Sequence, residues 1–78
     1  MNVYQLAIIE GNNPVQFSAK LFDSYEKAVN LLKEYDRDYA NHEVLPLYKL
    51  YDGTRPDLFP QNEFDFEYVF FIVEVPVL

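Results

Sequence analysis

Apolar and polar residues alternate in the first third of the chain, and this period of two residues predicts β-strands. Residues 3–9 are apolar on both sides, which predicts an inner strand. Residues 15–22 alternate almost throughout and predict a half-buried strand. Its predicted inward residues are Val15, Phe17, Ala19 and Leu21. Between the two strands, residues 10–14 (EGNNP) have the composition of a turn.

A period of three to four residues follows over residues 24–40 and predicts an amphipathic helix. Asp23 and Glu26 have the spacing of a capping box, in which each side chain accepts a hydrogen bond from a backbone amide at the start of the helix. The helix is therefore predicted to begin there and to lie across one face of a sheet. Its apolar side consists of Tyr25, Ala28, Val29, Leu32, Tyr35 and Tyr39.

The second half of the chain predicts two more strands. Residues 43–51 are apolar but contain Pro46, which cannot donate to a ladder and so favours an edge strand. Residues 52–63 have no period and predict a long loop, and residues 64–75 predict the last strand. The order β-β-α-β-β predicts a single domain over residues 1–78, an α+β two-layer sandwich. We expect an antiparallel sheet of about four strands with one amphipathic helix on one face.

The two sides of the last strand differ in a way that matters for function. The side assigned to the helix is continuously apolar: Phe64, Phe66, Tyr68, Phe70 and Ile72. The other side carries the charged residues Asp65 and Glu67 and then turns apolar at Val69, Phe71 and Val73. One helix covers only one face, so this second apolar face needs another cover. An apolar second half on both sides also predicts that this strand lies at the centre of the sheet.

Three covers are consistent with the sequence. The loop at 52–63 can fold back through Leu58 and Phe59. A different protein can bind there. A second copy of the chain can also bind, and this would give a homodimer. The self-interface would then consist of Val69, Phe71 and Val73.

Charge narrows the choice of partners. The net charge is -7, and residues 56–78 contain five acids and no base. A field of one sign repels nucleic acid and anionic lipid and attracts basic surfaces. We therefore expect a protein partner with a basic surface, and neither direct nucleic-acid binding nor membrane binding.

Nothing in the chain points to catalysis, a cofactor or a metal. It has no cysteine, and His42 is the only histidine, with no metal-ligand spacing around it. Neither Ser18 nor Ser24 has the setting of a nucleophile. The absence of cysteine and of a signal-like start predicts a cytoplasmic location, in a bacterial cell or an infected host cell.

Acids interleaved with aromatic residues can imitate a phosphate backbone with stacked bases. This suggests a non-catalytic module that occupies a nucleic-acid-binding groove on another protein. The predicted partner-binding residues are Asp57, Phe59, Glu63, Asp65, Glu67 and Tyr68.

The strand-to-helix junction FDSYEKAVNLL, together with the small size and acidic balance, resembles small proteins of bacteriophages and mobile elements. The pattern covers residues 17–32. Some proteins of this type are anti-CRISPR or other anti-defence inhibitors, and the resemblance implies binding to a host nuclease or its effector. The alternative is a homo-oligomeric structural or interaction protein that associates through its second apolar sheet face.

Overall fold

The computed structural model describes residues 1–38, 43–44, 49–62 and 67–77. Within them the chain has an α+β fold, with one helix packed on one face of a sheet. The elements in chain order are β1 (Asn2–Glu10), β2 (Gln16–Phe22), α1 (Tyr25–Asp38), β3 (Glu43–Val44), β4 (Leu50–Asp52), a one-turn 3₁₀ helix (Pro56–Leu58) and β5 (Tyr68–Pro76).

The last strand lies at the centre of the sheet, as predicted. The strand order is β2-β1-β5-β3, and β4 also pairs with β5. The two short strands β3 and β4 therefore lie one after the other beside β5, and five strands occupy four positions. β1 pairs antiparallel with β5 along its whole length, from Asn2 opposite Pro76 to Glu10 opposite Tyr68. This confirms that β1 is an inner strand.

The sheet is mixed, so the prediction of an antiparallel sheet is only partly right. β3 and β4 both run parallel to β5, with Val44 opposite Phe70 and Tyr51 opposite Val73. The edge strand predicted for 43–51 is two short strands, and Pro46 lies outside the described residues. Parallel neighbours need a crossover connection, which explains why so long a segment separates β4 from β5.

The helix covers the side of β5 that the sequence assigned to it. Phe70 and Ile72 are buried there, whereas Phe64 and Phe66 lie outside the described residues. The predicted apolar side of the helix is confirmed for the residues that the structure describes. The buried cluster on this side consists of Leu6, Phe22, Ala28, Val29, Leu32, Phe70 and Ile72.

The helix begins one residue later than the predicted capping box. Ser24 is the cap, because its Oγ accepts a hydrogen bond from the backbone amide of Lys27 at 3.2 Å. Asp23 instead forms an exposed ion pair with Lys27, with 2.8 Å between Nζ and Oδ1. Since the third helical residue is Lys27, no acid is placed there to complete a capping box.

The side chains of β2 do not face as predicted. Phe17 and Leu21 are 48% and 55% exposed, and Ala19 is also exposed. The helix packs on the opposite side of β2, where Phe22 is buried. The strand is also irregular. Gln5 pairs with Leu21 but Ala7 pairs with Phe17. Two residues along β1 therefore correspond to four residues along β2, which is a β-bulge in β2.

Candidate protein-binding surface

The chain itself covers the second apolar face of the sheet. Phe59 lies over Phe71 with ring centroids 5.4 Å apart, and Tyr51 lies edge-on to Phe71 at 5.1 Å. Burial under this cover raises the pKa of the Tyr51 hydroxyl. The first of the three predicted covers is therefore present through Phe59. Leu58 takes no part, since it is 52% exposed.

The three residues of the predicted self-interface are already covered by the chain itself. They are buried inside a single chain, with exposed fractions of only 1–3%. They lie in a cluster with Ala7 and Ile9, and a second copy cannot reach them while Phe59 is in place. The residues concerned are Val69, Phe71 and Val73.

Two aromatic residues of the predicted partner surface lie on opposite faces of the sheet. Phe59 is half-buried and contacts the rings of Tyr51, Phe71 and Phe17, so it serves mainly as cover. Tyr68 is half-buried on the helix side, where its ring stacks on Phe70 with centroids 6.0 Å apart. A partner cannot contact both rings across one flat surface.

The predicted acids are also separated. Asp57 lies in the 3₁₀ helix, 3.7 Å from the guanidinium of Arg55, which partly neutralises it. Glu67 lies just before β5, exposed, and its carbonyl accepts a hydrogen bond from the Gly11 amide at 3.2 Å. Glu63 and Asp65 lie outside the described residues.

The structure places a different acid beside Tyr68. Glu10, the last residue of β1, is directly opposite Tyr68 in the antiparallel register. Directly opposed residues project from the same face, so the exposed Glu10 lies beside the half-buried tyrosine. Glu67 precedes Tyr68 in the chain. This end of the sheet therefore combines two carboxylates with one aromatic ring.

A matching pair lies at the other end of the same ladder. Tyr4 is opposite Glu74, and the hydrogen bond from the Tyr4 hydroxyl to the Glu74 carboxylate, with some burial, raises the pKa of the tyrosine. The ring of Tyr25 lies 6.1 Å from that of Tyr4. We call Glu10 with Tyr68 and Glu74 with Tyr4 the two acid–tyrosine pairs.

A further carboxylate lies beside the second pair. Asp52 is opposite Glu74 in the parallel register of β4 and β5. Its Oδ1 accepts hydrogen bonds from the hydroxyl and the amide of Thr54, at 2.7 and 2.9 Å, and these hold the pKa of Asp52 below its usual value. Like charges in opposed positions cost stability, yet Asp52 is fixed in its ionised form.

An open pocket of about 330 Å³ lies on the other face of the sheet, between the turn after β1 and residues 60–62. The Asn62 amide closes one side of it by donating to the carbonyl of Gly11 at 3.0 Å. Amide side chains and two prolines surround an apolar floor, so the pocket offers polar atoms without charge. Its lining residues are Ile9, Gly11, Asn12, Asn13, Pro14, Val15, Pro60, Gln61 and Asn62.

Sequence reasoning missed Glu10, Tyr4 and Glu74. The signal available in the sequence was that each of these three residues lies near the end of a strand at an even-numbered position. Placing them beside their partners requires the register between β1 and β5, which connects Glu10 with Tyr68 and Tyr4 with Glu74 across most of the chain. Only the pair of Glu67 and Tyr68, adjacent in the chain, was accessible to sequence reasoning.

Comparison of the chain with protein-family models, curated proteins and solved structures found no match to any of them. Among the residues that the structure describes, no group of three or more metal-ligating side chains could hold an ion. The described part of the chain likewise has no helix of the length and apolarity needed to cross a membrane.

Proposed function

We propose that this protein is a non-catalytic binding module, an acidic inhibitor that occupies the nucleic-acid-binding surface of a basic host protein or nuclease. The two acid–tyrosine pairs are its contact points. The proposal keeps the mimicry suggested by the sequence and moves its centre from the loop at 52–63 to the ends of the β1–β5 ladder. Glu67 and Tyr68 remain part of the proposed partner-binding surface. Glu63 and Asp65 are kept in the proposal only because they are negatively charged.

The observation that supports the proposal is the repetition of one arrangement. A carboxylate lies beside a tyrosine at each end of the ladder, Glu10 with Tyr68 and Glu74 with Tyr4. Tyr4 and Glu10 are six steps apart along β1, which corresponds to about 20 Å at the rise of a β-strand. The partner should therefore present positive charge over a comparable length, as a groove that follows a nucleic-acid backbone does.

The chemistry of each pair suits such a groove. Lysine and arginine side chains that bind phosphate will also bind carboxylate, and the charge steers encounter at low salt. Tyrosine adds contact area at a low cost in conformational entropy. Two cations of the chain are engaged away from the pairs: Lys27 contacts Asp23, and Arg55 contacts Asp57.

A matched pair of triple variants tests the proposal. Glu10→Gln and Glu74→Gln remove the charges of the two pairs, and Glu67→Gln removes the charge that precedes Tyr68 in the chain. Asp23→Asn, Glu26→Gln and Glu34→Gln remove the same number around the helix, where all three side chains are exposed. We expect the first variant to lose binding to a partner captured by the wild type, and the second to retain most of it.

Equal losses in the two variants would show that only net charge matters. The acid–tyrosine pairs would then not be a specific surface. Circular dichroism on both variants checks that the fold is kept, which we expect because the altered side chains lie outside both buried clusters.

A further inference from the structure

The exposed apolar residues of β2 form a surface that the proposed function does not use. β2 is at the edge of the sheet, and its outer side pairs with no other strand among the described residues. Phe17 and Leu21 are 48% and 55% exposed on the face opposite the helix. Phe59 touches the ring of Phe17 at 6.2 Å between centroids but leaves half of it in water.

We propose that this edge is a self-association site, at which β2 of one copy lies antiparallel to β2 of a second copy about a two-fold axis near Ala19. Phe17 and Leu21 are equally distant from Ala19 along the chain. The rotation therefore places Phe17 of each copy against Leu21 of the other. Such an isologous interface is self-complementary, because each exposed apolar side chain covers one of the partner's.

Charge favours a second copy at this edge. Two chains of net charge -7 repel each other over most of their surfaces, but residues 11–22 contain no acid and one base. That base, Lys20, lies with its Nζ 5.4 Å from the centre of the Phe22 ring, on the helix side. The face that carries Phe17 and Leu21 thus has no charge of its own. A basic partner finds no carboxylate on this strand to bind.

The edge of β2 is irregular at the proposed axis. The bulge at 18–20 is fixed, since the Ser18 Oγ donates to the carbonyl of Lys20 and the Gln5 amide donates to the carbonyl of Ser18. These two hydrogen bonds hold the backbone on both sides of Ala19. A bulge shortens the regular ladder, so the dimer should be weak.

Sedimentation equilibrium tests the proposal with two leucine variants. Leu21→Asp places a charge in the interface, and Leu58→Asp adds the same charge at a leucine of similar exposure in the 3₁₀ helix. Each substitution occurs twice in a symmetric dimer, so a tenfold loss per site becomes an increase of about a hundredfold in the dissociation constant of Leu21→Asp. We expect Leu58→Asp to dimerise like the wild type.

Salt separates this inference from the proposed function. High salt screens the repulsion between two acidic copies and should strengthen the dimer, whereas it should weaken binding to a basic partner. A wild type that stays monomeric at all concentrations and salt levels would overturn the inference. Equal weakening by Leu58→Asp would also overturn it. The triple variant at the acid–tyrosine pairs is expected to dimerise at least as well as the wild type.

A cross-link locates the axis independently of affinity. The chain has no cysteine, so Ala19→Cys introduces a single thiol at the proposed axis. Opposed residues of antiparallel strands have Cα atoms about 5 Å apart, which a disulfide can span. Under mild oxidation Ala19→Cys should form a covalent dimer and Leu58→Cys should not. Failure of Ala19→Cys to cross-link more than Leu58→Cys would contradict the geometry.

Discussion

The ring of Phe59 lies over that of Phe71, with 5.4 Å between centroids, and so the crossover between β4 and β5 covers the central strand on the face of the sheet that the helix leaves open. A chain of 78 residues has room for one thin core on each side of its sheet. The crossover supplies the second of these cores. The stability of this second core should therefore depend on a few aromatic contacts.

Phe59→Ala should remove this cover. Truncation of a half-buried phenylalanine that contacts three other rings should cost about 2–3 kcal/mol of unfolding free energy. Urea denaturation followed by circular dichroism measures the loss, and binding of a hydrophobic dye should rise. Leu58→Ala, at the neighbouring exposed residue, should change stability by less than about 0.5 kcal/mol. If the two variants were equally stable, Phe59 would not be the cover.

Gly53 should tolerate no side chain. A Cβ there would lie 2.6 Å from the carbonyl oxygen of Glu74 and 2.9 Å from the Val73 Cγ1. The Gly53 amide also donates to that carbonyl at 2.8 Å, which fixes the distance between β4 and β5. Gly53→Ala should therefore cost about 2 kcal/mol or more, as measured by thermal or urea unfolding.

Gly11→Ala is the comparison for Gly53. Gly11 has a φ of 55° and open space where a Cβ would be, so alanine meets backbone strain but no clash. Its cost should be about 1 kcal/mol. A larger loss at Gly11 than at Gly53 would contradict the close packing of β4 on β5.

The start of the helix should depend on Ser24. Ser24→Ala removes the acceptor for the Lys27 amide and should cost about 1 kcal/mol. Asp23→Asn breaks only an exposed ion pair and should matter less. The reverse order of the two effects in urea unfolding would restore Asp23 as the cap.

Asp52 should make stability depend on pH in the acid range. Its pKa is lowered from 3.8, first by the Thr54 hydroxyl and then by the Thr54 amide. A lowered pKa in the folded state gives stability that is complete above 3.8 and lost as the pH falls through the folded value. Thr54→Ala should raise the pKa of Asp52 toward its ordinary value in an NMR titration.

Thr54→Ser keeps the hydroxyl and is the control for that titration. It should leave the pKa of Asp52 lowered. A titration in which the alanine and serine variants behaved alike would show that the hydroxyl is not the main cause.

Much of the fold follows from local pattern. The period of the helix predicted its buried side, and the two apolar sides of the last strand predicted both its central position and the need for a second cover. These features depend on residues that are close in the chain. The composition of the loop at 52–63 was enough to suggest Phe59 as that cover.

The features that sequence could not predict all depend on pairing between distant segments. The period of side chains along a strand is the same in parallel and antiparallel sheets. The sequence pattern therefore could not predict the direction of β3 and β4 relative to β5. Phe17 and Leu21 are exposed although their alternation is regular, because the helix packs on the other face of β2. The acid–tyrosine pairs depend on the long register of β1 with β5.

The most direct test of the proposed function is affinity capture from a bacterial lysate with the tagged protein, at low and at high salt and with added DNA. We predict retention of a nucleic-acid-binding protein that salt or DNA displaces, and that the triple variant Glu10→Gln, Glu67→Gln, Glu74→Gln fails to retain. Retention of nothing but untagged copies of the chain, or of partners that DNA does not displace, would contradict the proposal.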